Sequence, residues 1–303
     1  MKNKKNILIV GGTGFIGYHL SKKSLKKGWN VTSISTKRPK KIRYLSKVNY
    51  VFSDITKKKS LKKAIKKNFD YVVNLGGHVD HSNKKKTFSS HYIGCKNLTE
   101  ILLNNRPRSF VQMGSSIEYE NIRSPHKENT KCNPKSFYGK AKLLSSLYLI
   151  KTFKEKKFPV TILRLYQAYG PRQDLNRFIS FVISNCLKNK KFPCSLGNQF
   201  RDFIYIDDVI EAIIKSLTNK DAKGHIFNIG SGKPKKLKNI IDFIKKKLKG
   251  GYPQYGKIKL RKDEVLQFYP NTKKVRKVIN WKPQISFKKG IQLTTKFYNE
   301  YKN

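Results

Sequence analysis

The stretch Asn6-Ile-Leu-Ile-Val-Gly-Gly-Thr-Gly-Phe-Ile-Gly17 decides how the rest of the chain is read. An apolar run passes straight into glycines, and an amphipathic pattern follows from Phe15 to Lys27, ended by Gly28. The run reads as a buried strand and the 3.6-residue periodicity after it as a helix. Small residues let the backbone turn sharply here, so that amides and the helix N-terminus face a pyrophosphate. Gly11, Gly14 and Gly17 give the spacing G-x-x-G-x-x-G, with Phe15 and Ile16 beginning the helix. Glycines alone suit any strand-to-helix turn; a strand before and a helix after favour a dinucleotide site.

The same alternation continues outward. Strands are expected at Ile7–Val10, Val31–Ser35, Tyr50–Ser53, Tyr71–Leu75, Ser109–Met113 and Val160–Arg164, with a helix over Leu61–Phe69. Strands alternating with helices predict a parallel sheet. The fold class is therefore α/β, a doubly wound Rossmann sheet with a smaller, interwoven C-terminal lobe for substrate. Residues 1–165 form the dinucleotide-binding part. Further strands at Asp202–Ile206 and Ile226–Ile229 suggest that 202–231 returns to it, leaving 166–201 and 232–303 for the second lobe.

The 303 residues carry 67 Lys plus Arg against 18 Asp plus Glu, a net charge of +49. Only 11 of the basic residues are Arg, whereas a nucleic-acid reader is expected to use its planar fork more. Lys, Asn and Ile are abundant together, as in coding biased by an AT-rich genome, so the charge is read as background rather than as a nucleic-acid site. At 38% hydrophobic the chain is too apolar for general disorder. No apolar run approaches the ~20 residues of a membrane span. Met1-Lys-Asn-Lys-Lys lacks the apolar core of a signal peptide, so a cytoplasmic protein is expected. The four cysteines have no C-x-x-C spacing, and neither a disulfide framework nor a metal site is indicated.

An acid at the end of the second strand would accept hydrogen bonds from an adenine ribose and repel a 2′-phosphate. Ser35-Thr36-Lys37-Arg38 stands there instead, favouring NADP(H) over NAD(H). Asp54-Ile55 is placed to meet the adenine edge, although Asp54 could equally cap the following helix. Tyr138 and Lys142 lie four apart, on one face of a helix. A phenol is a poor acid or base at neutral pH, and a neighbouring cation stabilises its phenolate. Ser115, in Gly114-Ser115-Ser116 at the carboxyl end of a strand, can hydrogen-bond the substrate oxygen whose proton Tyr138 handles.

Glycine turn, Ser and Tyr-x-x-x-Lys in this order resemble the extended short-chain dehydrogenase/reductase family, in its nucleotide-sugar epimerase, dehydratase and ketoreductase branch. The resemblance covers essentially the whole chain. It implies a catalytic triad of Ser115, Tyr138 and Lys142 and a cofactor segment Asn74-Leu75-Gly76-Gly77, with Tyr138 and Lys142 also touching the nicotinamide side. It also implies a nucleotide-diphosphate sugar held by Gln167 (in Arg164–Pro171), Arg201, and the clamp Arg261-Lys-Asp-Glu264, with Arg on phosphate and acid on ribose. Ser116, Asn176 and Arg177 are further candidates for that pocket. His91 stands where the family usually has Asn. A homodimer through the Leu98–Leu103 and Tyr138 helices is likewise implied.

Family dehydratases carry Asp-Glu directly after the catalytic hydroxyl residue; here Ser116-Ile117 stand there, which argues against a 4,6-dehydratase. A ketoreductase acting with NADPH on C4 of a nucleotide-linked 4-keto-6-deoxysugar is favoured. The alternative is a 4-epimerase with bound NAD. A reading from another class, a non-catalytic cofactor-binding sensor or nucleic-acid-associated protein, is motivated by the charge and opposed by the retained Tyr138 and Lys142.

Overall fold

The computed structural model describes residues 4–78, 82–260 and 264–301. Its first strand, β1 (Asn6–Val10), alternates side chains between the two sheet faces, Ile7 and Ile9 entering one core and Leu8 and Val10 the other. The same two-sided burial recurs in β2 (Asn30–Ser35), β4 (Tyr71–Asn74), β5 (Ser109–Ser115) and β6 (Val160–Leu165), and β3 (Val48–Phe52) closes one edge. Two-sided burial is why these segments read as near-continuous apolar runs. With the strand Ile226–Ile229 they make a seven-stranded sheet in the order Ile226–Ile229, β6, β5, β4, β1, β2, β3. Every pairing in it is parallel. The order reverses direction beside β1, which places a crevice at the carboxyl ends of β1, β4 and β5.

Helix α1 (Phe15–Lys26) follows β1, and α2 (Lys58–Ala64) follows β3. The expected helix over Leu61–Phe69 thus starts and stops earlier. Leu61 faces the core as anticipated, but Phe69 must also be buried, and the chain leaves the helix after Ala64 to carry it inward before β4. A helical stretch α3 (Lys84–Phe88) runs through a π-helical turn, Ser89–Ile93, into α4 (Gly94–Leu103). Helix α5 (Phe137–Lys156) starts at Ser136, whose Oγ accepts the Gly139 N–H at 3.2 Å.

Beyond β6 the chain alternates between the sheet and the second lobe. Helix α6 (Phe178–Leu187) lies in the lobe and packs on the helix Leu237–Leu248, while α7 (Ile206–Thr218) packs against α1 and β5. The strand expected at Asp202–Ile206 is Phe203–Tyr205, and it pairs with Gln167–Tyr169 in a separate two-stranded sheet. Asp202, just before it, is buried and accepts hydrogen bonds from Ser231 N–H (2.6 Å) and Oγ–H (3.0 Å). Burial raises its carboxyl to a pKa of about 6, against the hydrogen bonds it accepts from Ser231 and its neighbours. No described helix is long and apolar enough to cross a membrane.

One contact staples α1 to the second half: His19 Nε2–H donates to the Pro171 carbonyl at 2.9 Å. Burial lowers the His19 pKa to about 4, the Pro171 bond only partly opposing it. Between pH 6.5 and about 4 the unfolded chain therefore gains a proton at this site that the folded chain refuses. The stability that neutral His19 contributes is complete above pH 6.5 and is lost as the pH falls toward 4. We predict that His19→Gln, which keeps an N–H donor for Pro171, flattens the dependence of Tm on pH across this window. Parallel Tm–pH curves for the two proteins would refute it. Asp202 acts oppositely over the lower part of the range, but equally in both.

Candidate functional site

The crevice opens at the glycine turn. Gly11 has φ +80°, a conformation that L side chains rarely adopt, and its N–H donates to the Ile34 carbonyl at 2.7 Å. A Cβ on Gly17 would lie 2.4 Å from the Gly11 carbonyl oxygen, so only glycine lets α1 approach its own turn this closely. Gly14 is the N-cap of α1 and offers no side-chain cap, leaving the first amides directed at the crevice. These are the features a pyrophosphate requires, and the cradle fits a dinucleotide. Phe15 packs edge-on to His19 at 5.4 Å, while Ile16 lines the cleft.

At the end of β2, Ser35 Oγ accepts from Thr13 N–H at 3.5 Å, and Thr36, Lys37 and Arg38 are exposed. Asp54 Oδ1 accepts both the Thr56 N–H and Oγ–H at 2.8 Å, which closes a turn ahead of α2; that helix has Lys57 at its N-cap and no side-chain cap, so Asp54 does not cap it as expected. Ile55 is buried against Gly76 and Gly94.

At the end of β4, Asn74 is buried, donates to Gln112 Oε1 at 2.8 Å and accepts the Gly76 N–H at 3.0 Å. Leu75 and Gly77 line the cleft. Gly77 has a neighbour that explains it. A Cβ there would stand 1.8 Å from Cε1 of His91, whose ring fills the space. His91 sits in the π-helical turn, donates Nε2–H to the His78 carbonyl at 3.2 Å and meets the Tyr138 ring edge-on, centroids 5.0 Å apart. Its carbonyl accepts the Ser145 hydroxyl at 2.9 Å, fastening the turn to α5. Such π turns cluster at functional sites.

Ser115 ends β5 and lies in the cleft with its Oγ accepting Ile117 N–H at 3.3 Å, which leaves the hydroxyl its own hydrogen to donate. Tyr138, in the first turn of α5, lies across the same cleft. Lys142, although buried, is held: Nζ donates to the Met113 carbonyl at 2.8 Å and stands 5.9 Å from the Tyr138 ring centroid. Hydroxyl, phenol and ammonium thus share one wall of a cavity of ≈ 610 Å³.

The opposite wall comes from the second lobe. Gln167, Arg177, Arg201 and Glu264 line the same cavity, as does Ser116 below Ser115. Arg201 and Glu264 form an ion pair, so two residues expected on one ligand meet each other. Arg201 Nη1 also donates to the Phe200 carbonyl at 2.9 Å. Asn176 is exposed and is not part of the lining, and Arg261 lies outside the described residues. Gly11, Gly14, Gly17 and Gly76 and residues 35–38, 54 and 55 are likewise not part of this lining.

Among the residues of this neighbourhood that sequence reasoning left without a site role are three histidine and glutamate side chains of the lining and one buried acid behind it. His78, His91 and Glu120 line the cleft, and Glu120 Oε2 accepts the N–H of Ser136, the cap of the helix that carries Tyr138, at 2.8 Å. Glu118, directly behind Ser115, is wholly buried. With only 18 acids in the chain, two within Ser116-Ile-Glu-Tyr-Glu120 were the available signal.

A glycine-cradled helix N-terminus facing a Ser, Tyr and Lys wall defines a dinucleotide-dependent enzyme of the doubly wound class. The chain belongs to the NAD dependent epimerase/dehydratase family, whose profile matches residues 7–230, and it is an NAD(P)-dependent enzyme of the nucleotide-sugar branch. It is 30% identical over 300 residues to a putative UDP-glucose 4-epimerase of Methanocaldococcus jannaschii, covering 94% of this chain and 96% of that one. It is 26% identical over 295 residues to the CDP-abequose synthase of Salmonella muenchen, covering 95% and 96%. Its fold matches the crystal structure of UDP-glucose 4-epimerase with UDP-glucose from Thermotoga maritima at a TM-score of 0.92, with 23% identity and coverage of 98% and 100%.

The Gly77–His91 fit makes a prediction. Gly77→Ala should force the His91 ring aside, lowering stability by ~1–3 kcal/mol as overpacking does. Gly77→Ala combined with His91→Asn should recover most of that loss. Thermal melts of the two variants check this, and equal destabilisation of both would refute the steric pairing.

Proposed function

We propose that the protein reduces the C4 ketone of a nucleotide-linked 4-keto-6-deoxysugar with NADPH. The observation that carries this reading is the end of β2, where exposed Lys37 and Arg38 follow Ser35 and Thr36 and no carboxylate stands to repel a 2′-phosphate. Ser116 and Ile117 supply no acid–base pair for loss of water from the sugar, which sets a 4,6-dehydratase aside. The likeness to a CDP-abequose synthase supports a reductive reaction.

When bound, the cofactor supplies the hydride. The residues of this chain do the rest. The Ser115 hydroxyl orients the ketone oxygen by donating to it, and the Tyr138 phenol delivers the proton that oxygen takes up. Lys142, clamped on Met113, holds a positive charge beside that phenol and reaches toward the nicotinamide ribose. Arg201 and Arg177 bind the diphosphate of the substrate, Gln167 and Ser116 contact its sugar side, and Glu264 accepts from the nucleoside ribose. Binding requires Arg201 and Glu264 to share their ion pair with the ligand. By the family resemblance Arg261 is assigned to the same diphosphate.

The second reading is a 4-epimerase with NAD, favoured by the likeness to a putative UDP-glucose 4-epimerase. It uses the same three residues, with the hydride returned to the other face of the ketone. For either reaction we infer a homodimer through α4 and α5. Phe137, Leu144 and Leu147 are exposed on α5, whereas Leu98 and Leu102 of α4 are buried in the chain's own core.

Incubation with NADPH and a nucleotide-linked 4-keto-6-deoxyhexose should oxidise the cofactor stoichiometrically, read as loss of near-ultraviolet absorbance. No oxidation, with UDP-glucose and UDP-galactose interconverting instead, would replace the reductase by the epimerase. Tyr138→Phe should lower kcat by ~10²–10⁴-fold, the usual contribution of a general acid, with cofactor affinity unchanged. Arg38→Ala should raise the Kd for NADPH ~10-fold or more, as expected for a lost charge-assisted bond, and leave that for NADH nearly unaltered. Equal effects on the two cofactors would remove the argument for NADPH.

A further inference from the structure

One carboxylate in this molecule touches both elements that carry the proposed catalytic wall, β5 and α5, and the neighbouring strand β6. Glu118 lies in the short 3₁₀ turn Ser116–Tyr119 after β5 and is 0% exposed. Its Oε1 accepts the Ser115 N–H at 2.9 Å. Its Oε2 accepts the Ser146 hydroxyl from α5 at 2.9 Å and Arg164 Nε–H from β6 at 2.9 Å. Ser146 stands one helical turn beyond Lys142 and two beyond Tyr138, and Arg164 stands three residues before Gln167. Arg164, 3% exposed, lies with its guanidinium carbon 4.6 Å from the Tyr119 ring centroid. Burial opposes its charge, and its neighbours, Glu118 foremost, hold the guanidinium above its ordinary pKa.

A buried ion pair is a weak device for stability, since well-packed apolar residues of similar volume do as well or better. What an apolar pair cannot do is accept the Ser115 N–H and the Ser146 O–H at once. We propose that Glu118 is a positioning residue that sets the Ser115 hydroxyl against the Tyr138 phenol by fastening the end of β5 to α5. Arg164 compensates the buried charge of this anchor. The inference deepens the reading of Ser115 and Tyr138 given above and rests on it. The geometry explains why the acid must be at position 118: from there the side chain folds back over Ser115 as the partner of a capping box, with Ser115 Oγ on the Ile117 N–H.

Glu118→Gln alone leaves the Arg164 cation facing an amide donor and is expected to fold poorly, so two charge-free pairs make the test. In E118Q/R164M the amide oxygen still accepts from Ser115 and the amide N–H donates to Ser146. In E118M/R164M both anchors are gone while volume is kept. The expected result is kcat within ~5-fold of wild type for E118Q/R164M but reduced ~10²-fold for E118M/R164M, as a small misplacement of reacting groups costs. KM and cofactor affinity should change little in either. Rescue by the glutamine separates positioning from loss of charge or packing. Two pairs with equal kcat, whether intact or impaired, would overturn the proposal.

Amide hydrogen exchange gives a readout that needs no substrate. E118M/R164M should exchange faster than wild type in both the 113–118 and 137–147 segments, and E118Q/R164M in neither. If the wild-type protein turns over no nucleotide sugar, the proposed reaction falls while exchange still decides the anchor. Unchanged exchange in E118M/R164M would overturn it.

Discussion

Everything in the molecule hangs on how closely α1 can lie on the turn that precedes it. The absent Cβ at Gly17 lets the helix backbone lie against the Gly11 carbonyl, and the positive φ at Gly11 bends the chain back under it. That approach aims the first amides of α1 into the crevice and sets the tilt of the helix on the sheet. On its far side α1 then meets α7, and through His19 it meets Pro171. A bulkier residue at position 17 would displace both the cofactor cradle and the contact with the second half of the chain.

The second half is held to the first by a compact polar and aromatic joint. Arg43, buried after β2, donates to the Arg172 carbonyl at 2.9 and 2.6 Å and pairs with Asp174 at 3.0 Å. Arg172 adopts φ +67°, uncommon for a side chain of this size, and its guanidinium lies among Tyr18, Phe297 and Tyr301. The C-terminal helix Phe287–Glu300 adds Tyr298, whose hydroxyl donates to the Gln173 carbonyl. The joint therefore links the loop after β2, the start of the cofactor domain and the segment that follows Gln167. The two walls of the cleft keep their spacing because these elements cannot move independently without leaving buried cations and carbonyls unpaired.

Much of this was legible in the sequence because parallel strands buried on both faces announce themselves. Ile7–Val10 and Ser109–Met113 were placed within two residues of their observed ends, and the glycine turn was placed outright. What escaped was set by contacts distant in the chain. The helix through Lys84–Leu103 lost its periodic signature at Ser89-Ser90-His91, where the π turn resets the register. Phe203–Tyr205 has strand composition, but only its partner 36 residues earlier determines that it leaves the main sheet. Glu118 had no reading in the sequence, because what makes its burial tolerable is Arg164, 46 residues on. Asp54 carried two local readings, and its bonds to Thr56 close a turn ahead of α2 rather than cap that helix.

The excess positive charge takes a different meaning in this setting. A fixed cation is useful in a protein interior only if its geometry lets partners cover it. The planar guanidinium, weakly hydrated and able to stack, meets that condition more often than an ammonium does. Here four of the eleven arginines occupy demanding positions: Arg43 and Arg164 are buried, Arg172 is enclosed by rings, and Arg201 sits in the cleft on Glu264. Lys142 is the lysine that joins them, and it too is covered, by the Met113 carbonyl. Surface lysines contribute little to the fold individually, because water and salt screen them within ~8–10 Å at ordinary ionic strength. Their common effect is a positive field around a cleft that admits anions, which raises the encounter rate with a dinucleotide or a sugar diphosphate and weakens as salt is added. The charge total thus bears on the field around the cleft, and the few covered arginines on how the chain is held together.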